Sequence, residues 1–243
     1  MQTVTNPSVP VVIEMVDVGL RFYLIAPASE PKLTITEEVQ EAMRGLKFNK
    51  APDPNGTPNK GLKDLPQQAV SFLVLIFKDI LLTHHFPSAW NHARLISILK
   101  PGKDPALPSS YRSIRLLETF GKLLENILLA RILHELRVRG LMRDEQFGFR
   151  PRHSMSRQLA RLVKRITRNF CEKRLTGAVF LYVAKAFNTI WIDGLLYKLT
   201  RLNFPSYIDR TISSYFRDRT FEASFQTASS SRRGMRVGWL SVD

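Results

Sequence analysis

One cysteine, few acids and no long apolar run set the first limits on this chain. Cys171 stands alone among 243 residues, which excludes an internal disulfide framework and any zinc site built from several cysteines. No stretch reaches the roughly 18–20 uninterrupted apolar residues that span a bilayer. The apolar segment from Val11 to Ile25 is broken by Glu14, Asp17 and Arg21 and lacks a basic leader, so it makes a poor signal peptide. An intracellular protein, of cytoplasm or nucleus, is the expectation. His84 and His85 are adjacent, while His92, His134 and His153 are scattered, and no metal-ligand spacing emerges. Acids are scarce as well: 21 against 36 lysines and arginines, a net charge of +15. That excess favours polyanionic partners, of which nucleic acid is the commonest.

What is present has the pattern of a folded α+β domain in which helices outnumber strands. Residues 1–32 carry prolines at 7, 10, 27 and 31 and no strong period, so an arm or short strand is expected there. Thr34 and Glu37 have capping-box spacing for a helix near 36–46. The run Lys50-Ala-Pro-Asp-Pro-Asn-Gly56 is a loop. Val70, Leu73, Val74, Phe77, Ile80 and Leu81 recur at helical spacing over 66–83. A strand is expected over 92–100, ending at the turn 101–105. A long helix over 117–138 turns Phe120, Leu123, Leu124, Ile127 and Leu128 inward, with Gly140 placed to end it. Further helices are expected at 154–171, after Asp193, and at 206–217, with strands at 177–183 and from Thr220.

The helix at 154–171 divides its faces sharply. At 100° per residue Arg157, Arg161, Lys164 and Arg168 fall within roughly 60° of one another, opposite Leu159, Leu162, Val163, Ile166 and Phe170. The apolar stripe is expected in the core, and the basic stripe against water or a phosphate backbone. No acid interrupts 154–171, whereas a merely solvated helix commonly mixes signs.

Several blocks also resemble a known family. Lys50-Ala-Pro-Asp-Pro-Asn-Gly56, Phe86-Pro-Ser-Ala-Trp90, Ile98-Leu-Lys-Pro-Gly-Lys-Asp104, Tyr111-Arg-Ser-Ile-Arg-Leu-Leu117 with Gly121-Lys-Leu-Leu-Glu125, and Gln146-Phe-Gly-Phe-Arg-Pro-Arg-His-Ser154 occur in order. Together with Gly177 to Trp191 they resemble the reverse transcriptases of jockey-like non-LTR retrotransposons. The resemblance implies a right-hand polymerase fold: a diverged arm at 1–32, fingers over 33–175, and part of a palm over 176–243. The implied activity is RNA-directed DNA polymerisation, a nucleotidyl transfer using Mg²⁺, an RNA template and a DNA primer.

Within that resemblance, Lys100 and Arg112 match fingers residues that contact the triphosphate of the incoming nucleotide. A lysine point charge and a forked guanidinium are the usual partners of phosphate. Phe187 matches the aromatic gate against a ribose 2′-OH, and Gly148 and Arg150 belong to a block flanking template and nucleotide. The catalytic positions depart from the pattern. The first motif normally runs Leu-Asp-Val-x-x-Ala-Phe-Asp; here Tyr182 and Asn188 replace its aspartates.

Polymerases hold two divalent metals roughly 3.5–4 Å apart, and hard Mg²⁺ takes carboxylate oxygens. A neutral phenol is no such ligand, so Mg²⁺ is not expected to bind. The family's Ala-Asp-Asp hairpin is not found, and Gly234–Asp243 begins like the following family block and then diverges. Asp53, Arg115 and Arg152 replace small family residues, with a backbone cost wherever a glycine held positive φ. The expectation is a catalytically inactive, truncated reverse-transcriptase relative. The alternatives are a non-catalytic basic RNA- or DNA-binding module, or a gene fragment with no stable product.

Overall fold

A computed structural model describes residues 10–25, 29–47, 53, 56–150, 152–183, 190–225 and 228–234. It divides into two compact units, Met1–Arg131 with Lys185–Asp243, and Ile132–Ala184. In chain order the elements are α1 (Pro10–Ile25), α2 (Thr36–Gly45), α3 (Asn59–Lys63), α4 (Gln67–Thr83), β1 (His92–Leu99), β2 (Tyr111–Leu117) and α5 (Thr119–Val138). Then come α6 (Met155–Cys171), α7 (Ile192–Arg201), α8 (Ser206–Phe216), β3 (Thr220–Phe225), β4 (Ala228–Ser229) and β5 (Arg233–Gly234). The mixed α/β class matches the expectation. No helix of the described residues is long and apolar enough to cross a membrane.

The first unit is built on β1. It pairs antiparallel with β2, from Ala93↔Leu117 to Leu99↔Tyr111, and parallel with β3, from His92↔Thr220 to Ile96↔Ser224. Side chains alternate across a pleated strand, so the odd and even residues of β1 face opposite ways. Ala93 and Leu95 are buried together with Leu117 of β2. The even face, with Arg94, Ile98, Arg112 and Ile114, is open to solvent or only half covered.

The expected inward residues of α4 and α5 are also buried, except Phe120, which is only half covered. Val70, Leu73, Val74, Phe77, Ile80 and Leu81 are buried, as are Leu123, Leu124, Ile127 and Leu128. An aromatic cluster joins them, with Trp90 edge-on to Phe77 and Phe86. A Cβ on Gly121 would sit 3.2 Å from Trp90 Cβ, so the absence of a side chain lets α5 approach Trp90. The α5 helix also carries a buried guanidinium that the apolar pattern did not reveal. Arg131 grips Glu38 of α2 through two bonds, of 2.8 and 2.7 Å.

Three local expectations fail. Residues 10–25 form a helix rather than an arm or strand: Pro10 occupies its first position, where a missing N–H costs nothing. Val16 and Leu20 of this helix pack with Leu196 of α7, and Gly19 accepts the Tyr197 ring, which a Cβ would meet at 2.8 Å. Thr34 does not cap α2. Ile35 stands at the cap position, and Thr34 Oγ1 is buried without a partner among the described residues. Asp193 lies in the first turn of α7 rather than capping it, with Trp191 before it. Gly140 does end α5, at φ +62°, with Leu141 N–H donating to Leu136 O at 2.9 Å.

Two buried carboxyls make this unit sensitive to mutation and pH. Asp53 accepts from Thr57 N–H at 2.8 Å, and from the backbone and hydroxyl of Thr119 at 3.2 and 3.0 Å. It thus ties the 53–57 loop to the start of α5, where a negative charge is favoured. Asp53→Ala is expected to lower stability by about 2–3 kcal/mol in urea unfolding.

Asp209 is 2% exposed and receives the Tyr23 hydroxyl at 2.9 Å. Burial pushes its carboxyl from 3.8 up to about 7. The folded state therefore binds a proton more tightly than the unfolded one, and stability from this group is present below pH 4 and lost as pH rises towards 7. Asp209→Asn should match the parent near pH 4 and exceed it by a few kcal/mol, about 2–4, at pH 8. Paired urea titrations at the two pH values measure this.

Candidate nucleic-acid interface

Lys100 and Arg112 are brought together by the β1–β2 hairpin. Arg112 pairs with Ile98 in register, and Lys100 continues the ladder, its N–H donating to Ser110 O at 2.8 Å. The two positions are diagonal neighbours on the open face, a spacing of roughly 7–8 Å. Their side chains differ in freedom. The Lys100 ammonium donates to Ser109 O at 2.7 Å, which holds the 100–110 loop. Arg112 is exposed and makes no side-chain bond among the described residues.

The second unit carries the other basic group. Ser154 caps α6, accepting from Arg157 N–H at 3.3 Å. Arg157 in turn donates to Arg152 O at 3.0 Å. Arg161 reaches further, to Asp144 O at 2.9 Å and Glu145 Oε1 at 3.2 Å, and lies over the Phe147 ring, 5.9 Å from its centroid. The Glu145 carboxyl is held below the usual carboxylate range, first by its own backbone N–H and then by Arg161. Arg150 donates to Arg143 O at 3.1 Å.

Three of the five cations thus fasten the 143–154 loop to itself and to the start of α6. Lys164 and Arg168, farther along the stripe, have no such partner among the described residues and project from an exposed helix. The sequence showed the charge of Arg150, Arg157 and Arg161 but not these tasks, because their partners are mostly backbone carbonyls.

Two expectations about this unit are corrected. The apolar stripe of α6 is not core: no α6 residue is buried, and Leu159 and Phe170 are 61% and 83% exposed. Amphipathic spacing specifies a face suited to burial, and burial itself needs a covering element. Residues 177–183 form no strand either. They are irregular and exposed, with Tyr182 at 91%, and no strand among the described residues pairs with their backbone. Phe187 and Asn188 lie outside the described residues. Among those described, no group of three acids, histidines or cysteines is placed to hold a metal. A phenol in solvent does not fit the carboxylate chemistry of Mg²⁺.

Residues 98–241 match the family described as reverse transcriptase (RNA-dependent DNA polymerase). The chain belongs to the reverse-transcriptase family. It is 38% identical over 202 residues to a probable RNA-directed DNA polymerase from transposon BS of Drosophila melanogaster, covering 83% of this chain and 22% of that protein. It is also 38% identical over 217 residues to the RNA-directed DNA polymerase from mobile element jockey of Drosophila funebris, covering 89% and 23%. A probable RNA-directed DNA polymerase from the X-element transposon of Drosophila melanogaster is 33% identical over 201 residues, covering 83% and 22%. The chain spans under a quarter of the length of these curated relatives. It is a reverse-transcriptase domain of the jockey-like non-LTR type.

The three residues that stand where the resemblance expects small ones differ in their surroundings. Arg152 sits at φ +62°, where a side chain costs roughly 1 kcal/mol that glycine avoids. Asp53 is absorbed, because its carboxylate serves the network described above. Arg115 points to the closed face of the sheet, half buried. Burial, and then the charge of Arg219, hold its guanidinium below the usual arginine range. Arg219 itself is 4% exposed and lies over the Tyr215 ring at 4.3 Å.

Ser154→Ala and Arg161→Ala should both loosen the loop and the first turn of α6. A cap is worth about 1 kcal/mol, so roughly fivefold faster amide exchange is expected at the first turn of α6 in the cap variant. Unchanged exchange in both variants would contradict the fastening role.

Proposed function

We propose that this chain is a reverse-transcriptase remnant that binds single-stranded nucleic acid through its basic surfaces and no longer extends a primer. The observation that carries the reading is Tyr182. It stands where the resemblance places the first metal-binding aspartate, and it is a solvent-exposed phenol in an irregular segment. Asn188, likewise an amide in place of an acid, deepens the departure. Nucleotidyl transfer by two metals needs carboxylates to place and partly neutralise them.

The surfaces that remain favour polyanion binding. Arg112 and Lys100 offer a fork and a point charge on one sheet face. Lys164 and Arg168 extend from a helix without a single acid, in a chain of net charge +15. Such contacts give affinity without sequence preference and fall steeply with salt. RNA template and DNA primer, the substrates of the ancestral reaction, remain the natural ligand classes. The second reading, a product that does not persist as a folded monomer, is favoured by the bare apolar stripe of α6 and by exposed Val179, Phe180 and Leu181.

Primer extension with Mg²⁺ or Mn²⁺ should give no product, and clear extension would overturn the inactive reading. Filter binding of single-stranded RNA across a salt series should show retention that falls with salt. Lys164→Ala with Arg168→Ala should reduce the log–log slope by about 1.4, two contacts at roughly 0.7 each. A flat salt response in the parent chain would remove the binding function.

A further inference from the structure

We infer that an open cleft at the base of the first unit's sheet binds a nucleotide, its base against Trp90 and Phe120 and its phosphate against Arg94 and Arg232. The cleft has a volume of about 600 Å³, within the range of small-ligand sites. Six of its lining residues carry the argument: Trp90, Phe120, Arg94, Arg232, Glu118 and Glu222. It lies far from the inherited phosphate contacts. Arg94 on β1 and Lys100 just past its end are six residues apart, about 20 Å at the rise of an extended strand.

Two chemistries meet in this cleft, and together they describe the ligand. The first is a rigid aromatic wall. The Trp90 and Phe120 rings lie 26° from parallel with centroids 6.3 Å apart. Trp90 is further held edge-on by Phe77 at 6.1 Å and by Phe86 at 6.0 Å. A ring fixed from several sides loses little freedom when a planar base stacks on it, and stacking tolerates any base.

The second chemistry is a pair of guanidinium groups with ends to spare. Register places Arg94 opposite Glu222 and His92 opposite Thr220. Arg94 binds Glu222 through Nε at 2.7 Å, and Arg232 binds Thr220 Oγ1 through Nε at 2.9 Å. Both Nε atoms are spent on positioning, and no bond from either residue's terminal nitrogens is seen among the described residues. Arg232 has no carboxylate partner there. A forked donor of this kind suits phosphate oxygens.

The acids refine the choice. His92 is tied down, with Nδ1 3.1 Å from Thr220 Oγ1 and Nε2 3.7 Å from Glu222 Oε2, and so takes no anion. Glu118, two residues before Phe120, is already engaged: burial and then its hydrogen-bonded neighbour Asp53 hold its carboxyl above the usual range. A bare phosphate would leave the aromatic wall unused. An uncharged aromatic would leave both guanidinium ends unanswered. A nucleotide answers both, either free or as one unit of a single strand.

Titration of the full chain with AMP, followed by tryptophan fluorescence, tests this independently of RNA retention by the basic surfaces. Saturable quenching is expected, at least fivefold weaker in Arg94→Gln/Arg232→Gln and at least threefold weaker in Arg232→Gln. The single variant alters an exposed residue and leaves the Arg94–Glu222 pair intact, so it reports even where the double variant is unstable. Trp90→Phe should abolish the quench, since it leaves only Trp191 and Trp239 as reporters. Lys164→Ala/Arg168→Ala should bind AMP as the parent does.

A fluorescein-labelled eight-nucleotide RNA supplies the second arm, read by anisotropy. Failure of AMP to saturate, with RNA binding weakened at least threefold by Arg232→Gln, assigns the nucleotide to a strand and supports the cleft. Parent-like binding of both ligands by the Arg232→Gln variant would overturn it. So would a quench that survives Trp90→Phe, or a parent chain that binds neither ligand.

Discussion

Pairing of β1 on both edges is the constraint on which the first unit depends. With β2 on one side and β3 on the other, the strand has no free edge over most of its length, and its pleat sends alternate residues to opposite faces. One face buries Ala93, Leu95 and Leu117. The other carries His92, Arg94, Ile96 and Ile98, and with them Arg112, Thr220 and Glu222 from the neighbours. A slip of one residue in either register would exchange these sets, burying guanidinium groups and exposing the core. Both the Lys100–Arg112 pair and the Arg94–Glu222 rim of the cleft therefore rest on that register.

The second unit lacks an equivalent constraint. It has a capped, strongly amphipathic helix and a segment of strand-like composition, yet α6 buries no residue and 177–183 pairs with nothing among the described residues. Local interactions hold what order there is: the Ser154 cap, Arg157 on Arg152 O, and Arg161 between Asp144, Glu145 and Phe147. Those contacts explain why the block Gln146–Ser154 keeps its shape. They also divert three cations from any nucleic acid that would otherwise meet them.

Much was legible from residue pattern alone, and the misses have physical causes. Helical spacing placed α4 and four of the five inward residues of α5, since burial there follows period, while Phe120 is only half covered. Gly140 was readable as a stop because a positive φ is a local matter. The α1 helix is hard to read because its apolar residues keep no strong period and it opens on a proline, which a first helical position tolerates. The Thr34 cap failed because a capping box competes with packing, and here the hydroxyl is buried instead. The Asp53–Thr119 and Arg131–Glu38 contacts could not be seen, for their partners are 66 and 93 residues apart.

The sequence by itself determined the family, through ordered motif blocks, and put a tyrosine at position 182, where the resemblance expects an aspartate. It also determined which helical faces were apolar and which were basic. Only the tertiary structure decided which of those faces were covered, which cations were already engaged by backbone carbonyls, and that Trp90, Phe120, Arg94 and Arg232 line one cleft. Identity and period are properties of the chain in order. Coverage, pairing and convergence arise from contacts between residues far apart in that order, and strand register and packing create them.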